Sequence, residues 1–451
     1  MPSHRLISTA WPEFGPAAQA PVFTAADFHT RLAATRQAME SAGLTHLAVY
    51  GDREHCANLL WLCGMDPRFE EALMIIGARA EPLLLTGIEC EAYLAISPLF
   101  TSGGLRHQRY APFSLPNIAP EPAPPLLDLL RAEGIASDSS VGCAGWKSLD
   151  LPAYLMDEIR CAAVHAVDAS ALFIDPAQGL RTFATAKDIA WFEYSNILAS
   201  EGMRRVLQGV REGITDHELV ALAGFNGFPQ GCHWGLKTGA KRISLASPNG
   251  SRVVKGYPLS GNVCYRGSNC CRSGWVAAGP QDLPEPARDY AGAFAGPYFS
   301  AMGAWFAALK VDAPAGDLDA AIRSCISPEA FGIRFSAGHL IHFDEWLNSP
   351  VWPGSPVPLH SGMLIQSDVI PASPVYSSTR MEDTYALASH DLLRELAAAF
   401  PETYLRCLSR RDFMRNVLRL PVDDSVLPLS NLPGIVPPYL LSLDRIFALE
   451  P

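Results

Sequence analysis

The chain has no apolar run of membrane-spanning length, and its opening, MPSHRLISTAWPEFGPAAQAP, lacks the basic start and apolar block of a secretory signal. Those absences predict a soluble, cytoplasmic protein with no membrane partner. It also lacks any Lys/Arg run that would grip phosphate. Acidic groups outnumber basic ones by 46 to 35, for a formal net charge of −11, so no nucleic-acid partner is expected. None of its 11 cysteines forms a CxxC at zinc spacing, which argues against a structural zinc site. Their odd number and apolar surroundings read as core thiols of a reducing compartment, with Cys270-Cys271 the pair to keep in view. Charge itself is scarce. Only 18% of residues are charged against 49% hydrophobic, which marks a core-rich globular protein long enough for two or three domains.

What is present falls into four stretches. Residues 1–24, rich in Pro and Ala, read as a loose arm. Residues 25–175 alternate between β and α signals: a helix from Thr24 to Ala42, then apolar strands at His46–Tyr50, Ala72–Ile76 and Pro82–Leu85. A helix at 126–133, a strand at 140–143 and a helix at 154–161 continue the pattern, so an α/β domain is expected. Residues 176–400 open with a long helix over about 184–212, followed by a capping box at Thr215 and Glu218. Gly, Asn, Pro and Ser then punctuate short strands between Cys232 and Gly279, the clearest at Val263–Tyr265 and Trp275–Ala277. Helices are expected over 287–306, 316–324 and 391–400. Residues 401–451, rich in Pro and Leu, read as a strap across the surface or a partner subunit.

The chemistry concentrates between Phe335 and Leu387. Three apolar runs there each carry one proton- or metal-binding group: His339, Asp368 and Glu382, spaced 29 and 14 residues apart. An ionisable group in an apolar strand costs several kcal/mol unless it is paired or ligated. Three on successive strands point to one shared polar site, the plain alternative being three separately satisfied groups, such as Asp368 capping a turn before Pro371.

The segments GHLIHFDE, SGMLIQSD and TRMEDT resemble the last three motifs of the pita-bread superfamily, which includes creatinase, prolidase, aminopeptidase P and methionine aminopeptidase. NLLWLCGMDPRFEEALMIIG is similar to a segment of the creatinase-type N-terminal domain. The resemblance implies an α/β N-terminal domain followed by an α+β pita-bread domain, a curved, mainly antiparallel sheet covered by helices. In the metal-dependent members, His339, Asp368 and Glu382 would stand at metal-ligand positions, the second usually being Glu. Two further Asp, eleven residues apart, complete the family's set. Here Asn269 stands at the second; counting back eleven lands on Pro258, and a shorter strand pairing lands on Asn262.

Two dications about 3.5–4 Å apart need bridging carboxylates, and this set offers too few. The leading expectation is therefore a creatinase-like hydrolase of a C–N (amide or amidine) bond in a small charged substrate, without a two-metal centre. His339, Glu382 and Asp368 would carry acid–base work, a His beside carboxylates being poised near neutral pH. No cofactor is expected, the alternative being one divalent metal (Mn, Fe, Co or Zn) on His339, Asp368 and Glu382. Asn269, Arg272, His233, His342 and Arg68 are the candidate substrate-binding residues, Arg68 reaching a substrate carboxylate from the same or a neighbouring subunit. The rival readings are a one-metal Xaa-Pro peptidase acting on short peptides and a catalytically inert binding protein. Two-domain relatives usually pair, so the resemblance also implies a homodimer.

Overall fold

A computed structural model describes residues 3–17, 19–77, 81–115, 122–145, 151–240 and 245–450. The chain divides into two compact units, one of residues 22–182 and one of residues 1–21 together with 183–451.

The 22–182 unit is built on one six-stranded sheet. Its order is Arg106–Arg109, Leu83–Thr86, Ala72–Gly77, His46–Gly51, Ser140–Ala144, His165–Asp168. The central strands His46–Gly51 and Ala72–Gly77 are buried almost throughout. That burial explains their unbroken apolar runs, since strands covered on both faces do not alternate. Helices Ala25–Ser41, Leu126–Ala132 and Ala153–Ala162 lie where the apolar periodicity places them, and a further short helix forms at Ala57–Cys63.

The second unit holds two four-stranded antiparallel sheets. One runs Arg380–Glu382, Ser268–Trp275, Pro258–Tyr265, Leu236–Thr238; the other runs His339–Leu340, Leu364–Gln366, Thr384–Leu387, Val426–Pro428. The chain crosses from one sheet to the other at Asp383, so Glu382 and Thr384 belong to different sheets. The sequence places strands at Val263–Tyr265 and Trp275–Ala277. The structure instead makes a long hairpin of Pro258–Tyr265 and Ser268–Trp275, turning at Arg266-Gly267. The run SNCCRSG looks like loop because it is small and polar. It is fully buried strand, with Asn269 bonded to Asn262 and Glu382, Arg272 to Asp383 and Ser273 to Ser260. Gly267, at φ +72°, supplies the left-handed backbone the turn needs.

Helix Ala186–Gln208 begins at a Thr185–Asp188 capping box and stops at Gly209, short of the expected Glu212. It packs on the hairpin, and Asn196 Nδ2 donates to the Gly267 carbonyl at 3.0 Å, fixing the turn. The helix expected over 287–306 is a π turn, Ala291–Ala295, running into helix Gly296–Ala308. Its Tyr298 hydroxyl accepts from the Met381 amide at 3.1 Å, and Trp305 Nε1 donates to the Ala337 carbonyl at 2.7 Å. Those two bonds hold the strands that carry Glu382 and His339.

Neither terminal stretch is a loose arm or a surface strap. His4–Ser8 pairs antiparallel with Arg445–Leu449. Val426–Pro428 is the edge strand beside Thr384–Leu387. Between them helix Pro401–Asn416 is locked to helix Ala186–Gln208 by the buried Glu193, which meets Arg410 Nη1 at 2.8 Å and Arg406 Nη2 at 2.6 Å. Leu427, Leu429, Leu432, Ile435 and Val436 are fully buried, so the apolar content of this stretch is core.

Candidate functional site

Side chains alternate across a sheet, and directly paired residues share a face. Cys271 pairs with both Glu382 and Asn262, and Ser273 pairs with Arg380 and Ser260. One face of the first sheet therefore presents Asn262, Asn269, Cys271, Ser260, Arg380 and Glu382 together. The other face carries Cys270, Arg272 and Asp383.

On the first face Asn262 Nδ2 donates to Asn269 Oδ1 at 3.2 Å. Asn269 Nδ2 in turn donates to Glu382 Oε1 at 2.8 Å and Glu345 Oε1 at 3.1 Å. The two amides thus sit together where the metal-dependent pattern calls for two carboxylates. They meet because the turn joining the two strands is only two residues long, which is the shorter pairing that reaches Asn262.

The second sheet delivers His339. Gly338 precedes it at φ +118°, and a Cβ there would stand 2.8 Å from the Gln366 carbonyl oxygen, so the close approach to the neighbouring strand requires glycine. The imidazole is buried and stacked on Trp346 with centroids 4.2 Å apart. Its Nε2 lies 3.6 Å from Glu345 Oε1 and 3.9 Å from Asp368 Oδ2, and has no hydrogen-bond partner among the described residues. Asp368 Oδ1 accepts from Arg380 Nη2 at 3.3 Å, and the same nitrogen is 3.8 Å from Glu382 Oε2. Burial, and then the charge of Asp368, pushes Glu382 well above the ordinary carboxylate range, against the pull of Arg380. Burial works against the charge on Arg380, but its anionic neighbours outweigh that and hold it ionised.

His339, Asp368, Glu382 and Asn269 are therefore brought together. The other candidates in this unit are not. Arg272 lies on the opposite face, fully buried, with Nη2 2.7 Å from Asp383 Oδ2 and further bonds to the carbonyls of Cys271, Glu382 and Leu432. It is a structural ion pair. Cys270 and Cys271 are buried thiols whose pKa values burial drives up, so neither is a ready thiolate. His342 packs edge-on against Phe192 and Phe343, 4.9 and 4.7 Å between centroids. The His233 side chain is exposed, and it is its carbonyl that accepts from Asn262 Nδ2, at 3.4 Å. Arg68, in the other unit, is exposed with its guanidinium 5.6 Å over Tyr93.

Two residues of the cluster carry no signal of their own in the sequence reading. Glu345 sits in an irregular loop after His339, one acidic residue in FDEW. Arg380 is visible only as part of the Arg-x-Glu-Asp run. With Glu345, three carboxyl groups, one guanidinium and one imidazole share the site. His339, Glu345 and Glu382 each offer a ligand atom, all within 4.8 Å of one another. This donor set, with an imidazole nitrogen that has no hydrogen-bond partner, fits one divalent cation. It does not fit two, because the hairpin offers the neutral amides of Asn262 and Asn269 in place of two carboxylates.

The sheets, their order and the preceding α/β unit define the two-domain pita-bread fold. No protein-family model matches the sequence, nor does any curated protein. Among solved structures the chain is similar to the dipeptidase PepE from Mycobacterium ulcerans (TM-score 0.63, 18% identity, 82% of this chain and 95% of that one). It is also similar to the prolidase from Thermococcus sibiricus (TM-score 0.62, 14% identity, 90% and 97%). The N-terminal domain of the FACT complex subunit SPT16 from Cicer arietinum matches comparably (TM-score 0.59, 16% identity, 81% and 95%).

Proposed function

We propose that this protein hydrolyses a C–N bond in a small charged substrate and does so without a pair of metal ions. The observation that carries this reading is the buried His339 Nε2, directed at Glu345 and Asp368 and bonded to neither. A buried nitrogen of this kind is costly as structure and useful as a base. His339 takes a proton from the attacking water. Glu382, whose pKa burial and then the charge of Asp368 push well above the ordinary carboxylate range, delivers one to the leaving nitrogen. Asn269 orients both carboxyl groups through its two N–H donors.

A second reading is favoured by the mutual approach of His339, Glu345 and Glu382 and by the dipeptidase and prolidase likenesses. It is a one-metal peptidase of the Xaa-Pro type. A cation held by those three residues would supply Lewis-acid polarisation of the scissile carbonyl.

Metal content and turnover, measured before and after exhaustive chelation, separate the two. Substrates would be Xaa-Pro dipeptides and small amidino and ureido acids. Turnover that survives chelation supports the first reading. One equivalent of metal per chain with chelator-sensitive peptidase activity supports the second. Two equivalents, both needed, would overturn the charge argument.

A further inference from the structure

The sequence singles out Cys270-Cys271, but neighbours on a strand point to opposite faces, so these two sulfurs are held apart. The structure brings a different pair together. Cys264 pairs with Asn269 across the hairpin and shares its face with Asn262 and Cys271. Beside it runs the segment 229–235, fastened to the hairpin by three hydrogen bonds. The Arg266 amide donates to the Pro229 carbonyl at 2.9 Å, the Asn262 amide to the Gly235 carbonyl at 2.8 Å, and the Gly235 amide to Asn262 Oδ1 at 2.7 Å. Trp234 Nε1 adds a bond to the Cys264 carbonyl at 2.6 Å. The Cys264 sulfur lies against Gly231, where a Cβ would stand 3.1 Å from it. The next residue is Cys232, whose side chain and backbone both hydrogen-bond the Cys264 thiol. Asn262 Nδ2 donates to the Cys232 sulfur at 3.6 Å. Cys264 is buried and Cys232 is half-buried; of all the cysteines only Cys161 is more open.

We propose that Cys232 and Cys264 form a reversible disulfide when the protein meets hydrogen peroxide, Cys232 reacting first and Cys264 resolving it. Access decides the order, because the oxidant reaches the half-buried thiol before the buried one. The Cys232 sulfur attacks the peroxide; the O–O bond breaks, leaving a sulfenic acid and one water. The Cys264 sulfur then attacks the Cys232 sulfur. The S–O bond breaks, and the departing hydroxide takes the Cys264 proton as a second water. Two thiols lose two electrons between them and one peroxide gains them. A disulfide tolerates only a narrow range of backbone separation. The bonds at Pro229 and Gly235 already hold the two chains side by side, so the bridge closes with little backbone movement. It lies one side chain from the candidate site, since Asn262 touches the Cys232 sulfur and Asn269, and Asn269 holds Glu382.

The test uses the full chain carrying Cys161→Ser, which removes the exposed thiol. The protein is reduced, freed of reductant, treated with hydrogen peroxide and alkylated, and its digest is read by mass spectrometry. The expected product is a peptide pair joined through Cys232 and Cys264, with the loss of two free thiols that dithiothreitol restores. Cys232→Ser changes a half-buried side chain and should leave Cys264 a free thiol at the same dose. Cys264→Ser should stop the reaction at the sulfenic acid of Cys232, trapped by dimedone. Absence of the joined pair at a dose that oxidises Cys161 in the wild-type chain would overturn the proposal. Passage of Cys232 to sulfinic acid while Cys264 stays open to alkylation after unfolding would do so too. Oxidation of Cys264 in the Cys232→Ser chain as fast as in its parent would overturn the assigned order. None of these readouts depends on the hydrolase reading.

Discussion

Arg380 donates to Asp368 at 3.3 Å from inside the carboxylate cluster, so the site carries a fixed positive charge of its own. That charge offsets part of the repulsion among Asp368, Glu382 and Glu345, which burial would otherwise magnify.

The amide of Asn269 is the hinge of this balance. Asn269→Asp replaces two donors with a charge beside Glu345 and Glu382. Stability to denaturant in the presence of a chelator should drop by about 1–3 kcal/mol, and added Mn²⁺ should restore it. A variant as stable as wild type in chelator would show that the amide's hydrogen bonds contribute little.

Glu345 is partly exposed and lies outside the sheets. Glu345→Gln should therefore leave the melting temperature nearly unchanged while weakening Mn²⁺ binding by about tenfold or more. Equilibrium dialysis with metal analysis reads this directly, without any substrate. Undiminished binding would remove Glu345 from the ligand set.

His339→Ala and Glu382→Gln should each abolish turnover, with circular dichroism unchanged. The second replaces a carboxyl group that burial already disfavours as an anion, so its fold should be at least as stable as wild type. Residual turnover within about tenfold of wild type in either variant would assign the chemistry elsewhere, since positioned acid–base groups contribute about 10²–10⁴-fold.

Glu193 is buried between Arg406 and Arg410, joining the C-terminal helix to the long helix behind the hairpin. Removing one partner of such a pair leaves uncompensated charge. Glu193→Ala should cost about 3–5 kcal/mol, measured by urea unfolding. A loss below about 1 kcal/mol would mean the two helices are held by packing alone.

The pH dependence has a separate, testable contributor in His4, whose pKa burial depresses below the usual 6.5 despite the opposing pull of Glu450. In that range the unfolded chain binds a proton that the folded chain does not. The stability from this group is present above pH 6.5 and is lost as pH falls through the lowered value. His4→Gln should flatten the acid side of a melting-temperature profile. An unchanged slope would place the titration elsewhere.

Much of this site was legible because ionisable residues stand out in apolar strands. His339, Asp368 and Glu382 are visible that way, and the flanking glycines mark their strands. Arg272 shows where the reading goes astray. It matches a motif position, yet it shares strand parity with Cys270, not with Asn269, and so faces away. Counting by twos along Ser268–Trp275 gives the correct face once the strand itself is recognised. Glu345 could not be read this way, because loop residues have no periodicity to fix where they point. The C-terminal stretch differs from its sequence expectation for the opposite reason. Proline and leucine alternate there as they would in an extended surface segment, and only the pairing with Thr384–Leu387 shows it to be sheet.

The pairing of His4–Ser8 with Arg445–Leu449 has a bearing on biogenesis. During translation the earlier strand leaves the ribosome long before its partner exists, with its amides and carbonyls open to any neighbouring chain. Val426–Pro428 likewise leaves the ribosome after the strand Thr384–Leu387 that it pairs with. Nascent chains stalled before residue 426 should therefore depend on chaperones to avoid sticking to one another.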